Sequence, residues 1–222
     1  MRPKSDERSP ALPEKLSGDE RPLGREPIPE EPSSEERAAG RREGRPARRI
    51  VDLPPERHAE ALAVLRAGFA TVAAEFGLTA ENTPSNPAFW TGAELGRLVA
   101  RDYQLFGAEI GGRVLGCAFA GPSRSRERTW ELRHLAVRPD ARHQGHGEAL
   151  VAEAARRAQA NGASVLRIGI VADNRRLADW YHQLGFVTVS ADERYAGLVF
   201  AVDHLERALT PLDRPSYLST KR

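Results

Sequence analysis

The sequence predicts a three-layer α/β domain, and three observations carry that prediction. Apolar residues recur at three- and four-residue spacing in four segments, which is the period of amphipathic helices. Seven alternating or wholly apolar runs, bounded by turn residues, indicate strands. Their order places a meander of three strands in the first half and a crossover helix in the second, which predicts a mixed, mostly antiparallel sheet.

The first half of the predicted domain contains a strand and two helices before the meander begins. A short strand at residues 50–51 precedes a helix that two prolines open, because proline is tolerated in the first turn, and that Gly77 ends. The apolar stripe of this helix is Leu62, Leu65, Phe69, Val72 and Phe76. Thr91 and Glu94 have the spacing of a capping box, which predicts the start of a second helix.

The remaining elements alternate strands with two further helices. They are strands at 103–110, 113–120 and 129–137, a helix at 145–160, a strand at 165–171, a helix capped by Asp173 or Asn174, and strands at 186–190 and 198–202. The pair Gly111-Gly112 indicates a tight hairpin between the first two strands, and the last two strands are expected to pair antiparallel. The run at 165–171 is predominantly apolar, which is typical of a strand buried on both faces.

The predicted domain occupies residues 50–208 and lies between two tails. Residues 1–49 hold eight of the sixteen prolines, twelve Lys or Arg, eleven Asp or Glu and no aromatic residue. Such a segment buries too little apolar surface to offset its ordering entropy, so a disordered tail is predicted. The arginine cluster at 41–49 is interpreted as a solvated linker. Residues 209–222 are predicted to form a short C-terminal tail.

Composition argues against several classes of protein. No apolar run reaches the length of a signal peptide or a membrane span, so a cytoplasmic protein without membrane contact is expected. Cys117 is the only cysteine, which excludes an internal disulfide and a cysteine-based zinc site, and no metal is expected. The formal net charge of +2 is nearly balanced, so no nucleic acid is expected as a partner.

The chemistry is carried by the stretch Arg142-His-Gln-Gly-His-Gly147, which follows a strand and starts a helix. Unpaired backbone N–H groups and the helix dipole at such a start favour a phosphate. Gly145 and Gly147 let a bulky anion approach the main chain, and Arg142 adds a cation. A P-loop is excluded because no Gly-Lys-Ser/Thr occurs, and Leu150 stands where a Rossmann fingerprint needs its third glycine.

The same stretch matches the pattern Arg/Gln-x-x-Gly-x-Gly/Ala and resembles the GNAT superfamily of N-acetyltransferases. The resemblance extends to 135–139, which is similar to the end of the family's fourth strand, and to Asn174 followed by Tyr181-His-Gln-Leu-Gly-Phe186. Residues 75–82 also look like a bacterial, poorly characterised branch. The resemblance implies the three-layer α/β fold of an acyl-CoA N-acyltransferase, with a mixed, mostly antiparallel sheet, a splayed strand 4 and flanking helices.

By this resemblance acetyl-CoA is the expected acyl donor, while a propionyl or succinyl donor stays open. The backbone groups implied to hold the pantetheine arm are those of Leu135, Ala136 and Val137. The residues whose amides are implied to hold the pyrophosphate are Arg142, His143, Gln144, Gly145, His146, Gly147 and Glu148. Asn174 is expected to touch the pantetheine arm or the acceptor.

The family mechanism implies direct attack of an amine on the thioester, which needs a proton acceptor and a proton donor. Tyr181 is expected to be the general acid for the leaving thiolate, with a core aromatic as the alternative. Glu131, four residues before Leu135, is a candidate base, with a salt bridge to Arg133 or a solvated edge position as the alternative. A water chain stays open as the base in its place. Strand alternation puts His134 on the opposite face from Glu131, so a structural histidine is expected there.

The function expected from this resemblance is acetyl transfer to a primary amine of an unidentified small molecule or peptide. Two other functions stay open: a non-catalytic GNAT-like domain that binds CoA or a partner, and a nucleic-acid-binding protein that uses the arginine cluster. Intact loop glycines, Asn174 and Tyr181 favour an enzyme, and the chain has no nucleic-acid recognition motif. The sequence does not determine the oligomeric state, so a homodimer stays open.

Overall fold

The computed structural model describes residues 47–210, which form one mixed seven-stranded sheet with helices on both faces. The strands are β1 (Arg49–Asp52), β2 (Gln104–Ile110), β3 (Arg113–Pro122), β4 (Thr129–Val137), β5 (Val165–Val171), β6 (Val187–Arg194) and β7 (Ala201–Ala208). The helices are α1 (His58–Glu75), α2 (Gly92–Val99), α3 (His146–Ala160) and α4 (Arg175–Gln183). The strand order is β1-β2-β3-β4-β5-β7-β6, and only the β4–β5 pair is parallel within these residues. The predicted fold class is confirmed.

Two apolar cores hold the three layers together. Helices α1 and α2 pack on one face of the sheet, where Leu65, Leu95 and Phe119 are fully buried. Helices α3 and α4 pack on the other face, where Leu150 of α3 and Leu166 of β5 are fully buried. Each such buried side chain contributes roughly 1.5–3 kcal/mol to folding. The sheet therefore has a closed core on both faces, and α3 is the crossover between the parallel strands.

The side of helix α1 that packs on the sheet differs from the side that its apolar stripe predicted. Its fully buried residues are Ala61, Val64, Leu65, Gly68 and Ala73. The reason is close packing at Gly68, where a Cβ atom would lie 2.9 Å from the Cβ of Ala136. Small residues let α1 approach β4, so of the predicted stripe only Leu65 is fully buried and the other four residues are half-buried.

Local signals in the sequence are reproduced in the structure. The Thr91 hydroxyl accepts from the backbone N–H of Ala93, and Glu94 accepts from the backbone N–H of Thr91, which completes the predicted capping box. Gly111 and Gly112 both have positive φ, of 58° and 80°, as the tight hairpin requires. These turns and caps follow from short-range chemistry, which is why the sequence predicts them.

The last two strands lie further along the chain than predicted. Strand β7 runs from Ala201 to Ala208 in the interior of the sheet, although the prediction ended it at Val202, before a run that contains charged residues. Those charges are paired: the Asp203 carboxylate accepts from the backbone N–H of Asp192 at 2.9 Å, and Glu206 bonds Arg167 at 2.9 Å. Pairing makes a polar interior strand tolerable, so the predicted end of β7 is wrong.

Strand β5 is buried on one face only, which corrects the prediction of burial on both. Leu166, Ile168 and Ile170 point into the core beside α3 and α4. The opposite face carries Arg167 and the exposed Gly169. Five of the seven residues are Val, Leu or Ile, and this apolar majority conceals the face that Arg167 and Gly169 form.

The predicted domain, residues 50–208, lies within the described residues, which extend slightly beyond it at both ends. Arg49 begins β1, so the last residues of the predicted N-terminal tail belong to the described part, while residues 1–46 lie outside it. Leu209 is buried and its N–H donates to the carbonyl of Ser164 at 2.9 Å, and residues 211–222 lie outside the described part. Within residues 47–210, no helix has the length and apolarity needed to cross a membrane.

Candidate active site

A bulge in β4 opens a gap in the sheet, which we call the β4–β5 cleft. Strand β4 pairs with β5 only from Thr129 to Glu131, and beyond that point the two strands separate. The pairing of β4 with β3 shifts register between Cys117 and Phe119, opposite the bulge. His134 lies at this point with a φ of +49°, a conformation that non-glycine residues seldom adopt. The splayed fourth strand is therefore present.

The bulge decides which backbone groups face the cleft. Beyond it, the N–H of Arg138 donates to the carbonyl of Leu115 at 2.8 Å, and Ala136 lies opposite Cys117 two residues earlier. Hydrogen-bonding direction alternates along an antiparallel ladder. Ala136 therefore turns its backbone groups to β3, while Leu135 and Val137 turn theirs to the cleft. Of the three predicted pantetheine contacts, two present free backbone groups there.

The same bulge changes which face each side chain occupies. Before it, Glu131 lies on the α1 side of the sheet and Leu132 packs in the core beneath α3. After it, Leu135 packs toward α3, and His134 contacts Trp90 on the α1 side, with ring centroids 4.5 Å apart. Glu131 and His134 thus share a face, and the prediction from simple alternation is wrong because a bulge adds one residue to the count.

The segment at residues 142–147, which we call the helix-start loop, ends in the first two residues of α3. Gly145 is the residue before the helix and has a φ of 76°, which favours glycine. The first intrahelical bond runs from the N–H of Ala149 to the carbonyl of Gly145 at 3.2 Å. The amides of His146, Gly147 and Glu148 in the first turn therefore have no partner four residues earlier. An anion at this point would meet three N–H groups and the positive end of the helix dipole.

Gly147 is required by close packing rather than by its backbone angle. A Cβ atom there would lie 3.0 Å from Cζ2 of Trp180, which brings α4 against the first turn of α3. The Trp180 indole N–H donates to the Glu148 carboxylate at 3.3 Å. His143 and Gln144 are exposed at the loop tip, and His143 also has a positive φ of 59°.

The side chain of Arg142 is directed away from the position that the sequence suggested. Its Nη2 donates to the carbonyl of Gly68 at 3.0 Å and to the hydroxyl of Thr71 at 2.8 Å. The guanidinium therefore anchors the helix-start loop to α1. A different cation, Arg48, reaches the loop: its Nη1 donates to the carbonyl of Gln144 at 3.1 Å.

His146 is buried and neutral beneath the loop. It is 2 % exposed, and neither ring nitrogen has a hydrogen-bond partner among the described residues. Burial lowers the pKa of His146, and the positive charge of Arg48 lowers it further, against an opposing contribution from Glu148. The ring therefore carries no charge at neutral pH, and its backbone N–H remains the group available to an anion.

Glu131 lies in a network of three donors. Its carboxylate accepts from the Tyr103 hydroxyl at 2.6 Å, from the Ser123 hydroxyl at 2.9 Å and from Nε of Arg133 at 2.8 Å. Burial alone would raise the pKa of Glu131, but the Tyr103 bond, the Arg133 charge and the Ser123 bond together lower it. Glu131 is therefore a stable carboxylate at neutral pH, and the salt bridge to Arg133 that the sequence left open is present.

His134 packs among aromatic rings at the mouth of the cleft. Its ring meets those of Phe69, Trp90 and Phe119 edge-on, with centroids 6.1, 4.5 and 6.3 Å away. Burial, with a smaller contribution from Arg133, lowers the pKa of His134 to about 3. A histidine with so low a pKa is neutral at physiological pH and is a weak base, which agrees with the expected structural role.

Asn174 and Tyr181 lie on opposite ends of one side of α4. The Asn174 Oδ1 accepts from the N–H of Leu177 at 3.1 Å and caps the helix. Tyr181 is 2 % exposed and packs edge-on against Trp180 and Phe186, with ring centroids 4.7 and 5.3 Å apart. Burial raises the pKa of Tyr181, so its hydroxyl stays protonated throughout the neutral range.

Beyond the cleft, the face that holds Glu131 continues as a polar surface on β5 and β7. Arg167 of β5 bonds Glu206 of β7, and Nε2 of His204 lies 2.7 Å from the Tyr195 hydroxyl. No group of three His, Cys, Asp or Glu side chains within residues 47–210 is arranged to hold a metal ion.

The structure adds two residues to the site that the sequence did not indicate. Tyr103 bonds Glu131, but it precedes β2 and is remote from any motif in the chain. Arg48 lies in the arginine cluster that was interpreted as a solvated linker, and its contact with residue 144 spans 96 positions. The only sequence signal for this contact was the position of Arg48 next to the first strand. Its distance along the chain gave no reason to connect it with the helix-start loop.

Comparison with protein families gives one clear match. The model of the acetyltransferase (GNAT) family matches residues 72–186, which is just over half of the chain. The matched segment contains β4, the helix-start loop, α3, β5 and α4, which are the elements that form the cleft. No curated protein sequence matches the chain.

Solved structures show the same fold at low sequence identity. The PaiA N-acetyltransferase of Thermoplasma acidophilum, in complex with coenzyme A, is 18 % identical with a TM-score of 0.61, over 73 % of this chain and 99 % of that one. The ribosomal-protein-S18-alanine N-acetyltransferase of Escherichia coli is 16 % identical with a TM-score of 0.58, over 77 % and 98 %. A GNAT-family acetyltransferase of Staphylococcus aureus Mu50 is 12 % identical with a TM-score of 0.56, over 74 % and 100 %.

Proposed function

The chain belongs to the GNAT acetyltransferase family, and we propose that it moves an acetyl group from acetyl-CoA to a primary amine of a small molecule or peptide. The observation that carries this proposal is the β4–β5 cleft with the start of α3 beside it. The cleft offers backbone hydrogen-bonding groups that no neighbouring strand uses, and the helix start offers unpaired amides and a positive dipole. Together they match a donor with a peptide-like arm and a phosphate group.

The donor would be held mainly by backbone groups. Leu135 and Val137 would bond the amides of the pantetheine arm, which would continue β4's pairing in place of β5. The amides of the helix-start loop and of Glu148 would bond the pyrophosphate. Asn174 uses Oδ1 to cap α4, which leaves its amide nitrogen as the group for the arm or the acceptor. A strand amide beside the thioester carbonyl would stabilise the oxyanion that forms on attack.

The acceptor amine must lose a proton before it attacks, since an alkylammonium has a pKa of about 10.4. Glu131 is a poor acceptor for that proton because its pKa is lowered by its donors. We therefore assign Glu131 an electrostatic role: its negative charge draws the ammonium to the cleft, and the proton leaves through water. His134, with a pKa of about 3, is no better as a base.

Tyr181 is the residue that we propose as general acid. It lies two turns after Asn174 on α4, so the two residues project from one side of the helix. Burial raises its pKa, so the hydroxyl still carries its proton when the thiolate forms. The proton would pass from the Tyr181 hydroxyl to the sulfur as the carbon–sulfur bond breaks, and solvent would restore it.

The test is a thiol-release assay with acetyl-CoA over a broad panel of amines, followed by mass spectrometry of each acceptor. The panel contains small amines, amino acids, amine antibiotics, peptides with free N-termini and peptides with lysine side chains. We expect release of CoA to depend on the acceptor and to match the acetylated product. Binding of acetyl-CoA without acetylation of any amine would support the non-catalytic alternative instead.

A further inference from the structure

Arg48 brings a positive charge to the helix-start loop from a distant part of the chain. It lies one residue before β1, is exposed, and donates from Nη1 to the carbonyl of Gln144 at 3.1 Å. A Cβ atom on Gly145 would lie 3.1 Å from the same Nη1. The guanidinium is therefore in contact with the two loop residues that immediately precede α3.

Binding of an anion at the helix-start loop requires a positive charge close by. Glu148 places a carboxylate in the first turn of α3, where it opposes the binding of another anion. The cation that the sequence pattern supplies, Arg142, has its Nη2 on the carbonyl of Gly68 and the hydroxyl of Thr71. Arg48 offsets the carboxylate at the loop, and its field reaches the ring of His146.

We propose that Arg48 binds the phosphate groups of coenzyme A, an inference that rests on the proposed function. A guanidinium carries five N–H donors, and the Gln144 carbonyl takes one of them. The remaining donors form the planar fork that recognises phosphate oxygens in pairs. The shared chemistry is phosphate, which coenzyme A carries as a pyrophosphate and as a 3′-phosphate.

The experiment compares Arg48→Gln with Arg49→Gln in the full chain. Arg49 is adjacent and exposed, so both variants lose one charge and long-range attraction falls equally. Calorimetry measures binding of acetyl-CoA, of acetyl-3′-dephospho-CoA and of acetyl-pantetheine, which lacks both phosphate groups. We expect Arg48→Gln to weaken binding of acetyl-CoA about tenfold, as loss of one charge-assisted hydrogen bond implies, and Arg49→Gln to change it less than about twofold.

Binding of acetyl-3′-dephospho-CoA shows which phosphate group of coenzyme A Arg48 contacts. An equal loss with acetyl-3′-dephospho-CoA assigns Arg48 to the pyrophosphate, and no loss with that donor assigns it to the 3′-phosphate. Equal affinity of both variants for acetyl-CoA would overturn the inference about Arg48 and leave the proposed function standing. Failure of the wild type to bind acetyl-CoA would instead overturn the proposed function.

Discussion

Two glycines at opposite ends of α3 allow backbone strain to be separated from ligand binding. Gly145 precedes the helix and Gly162 follows it, and both have a φ of 76°. Alanine at either position places an L side chain in the left-handed region, at a cost of about 1–2 kcal/mol. For a domain of this size that cost lowers the melting temperature by roughly 2–8 °C. The two variants should therefore lose similar stability.

Their surroundings differ, and so should their effect on binding. A Cβ atom on Gly162 meets nothing within 4 Å, whereas a Cβ atom on Gly145 meets Arg48 Nη1 at 3.1 Å. The methyl group of Gly145→Ala would displace the guanidinium and occupy the surface that a phosphate approaches. Loss of one charge-assisted bond corresponds to about tenfold in affinity, and obstruction of the backbone adds to it.

The assay is calorimetric titration of both variants with acetyl-CoA, with a thermal melt of each protein alone. We expect Gly145→Ala to bind at least about tenfold more weakly than the wild type, and Gly162→Ala to bind within about twofold of it. Equal binding by the two variants at equal loss of melting temperature would refute the assignment of the helix-start loop to the phosphate groups.

Three further predictions concern single groups. Tyr181→Phe should lower turnover about tenfold to a thousandfold with little change in acetyl-CoA affinity, because it removes only the hydroxyl. Turnover is measured by steady-state kinetics with the best acceptor, and an unchanged value would mean that Tyr181 has a purely structural role. Glu131→Gln should destabilise the protein by about 1–2 kcal/mol at neutral pH. Because the folded pKa of Glu131 is lowered from 4.5, its contribution is present above that pH and lost as the pH falls through the folded value; melts that show a constant difference from neutral to acidic pH would contradict this. A chain that starts at residue 47 should bind acetyl-CoA like the full chain, whereas one that starts at residue 49 should bind about tenfold more weakly, and equal binding by the two would count against Arg48.

Short-range signals made most of the fold predictable from sequence. The Thr91–Glu94 capping box and the Gly111-Gly112 hairpin depend on residues within four positions of one another, and β4 and β5 have the predicted bounds. The end of β7 was missed because Asp203 and Glu206 look unsuited to an interior strand until their distant partners are known. Those partners, Asp192 and Arg167, become visible only when the strands are assembled.

The site was predictable where a motif carries it and not where a bulge or a distant contact does. The helix-start loop follows from residues 142–147, and the splayed strand was implied by the family resemblance of residues 135–139. That Glu131 and His134 share a face could not be predicted, because the position of the extra residue in β4 depends on how β3 pairs with β4. The contact of Arg48 and the diversion of Arg142 to Gly68 arise from packing between segments far apart in the chain.

Binding of acetyl-CoA by this chain is tested most directly by a calorimetric titration of the full-length wild-type protein. We expect saturable binding of one acetyl-CoA per chain with micromolar or tighter affinity, since the cleft offers backbone partners for the arm and the helix-start loop offers amides and a cation for the phosphates. Absence of saturable binding would contradict the proposed function.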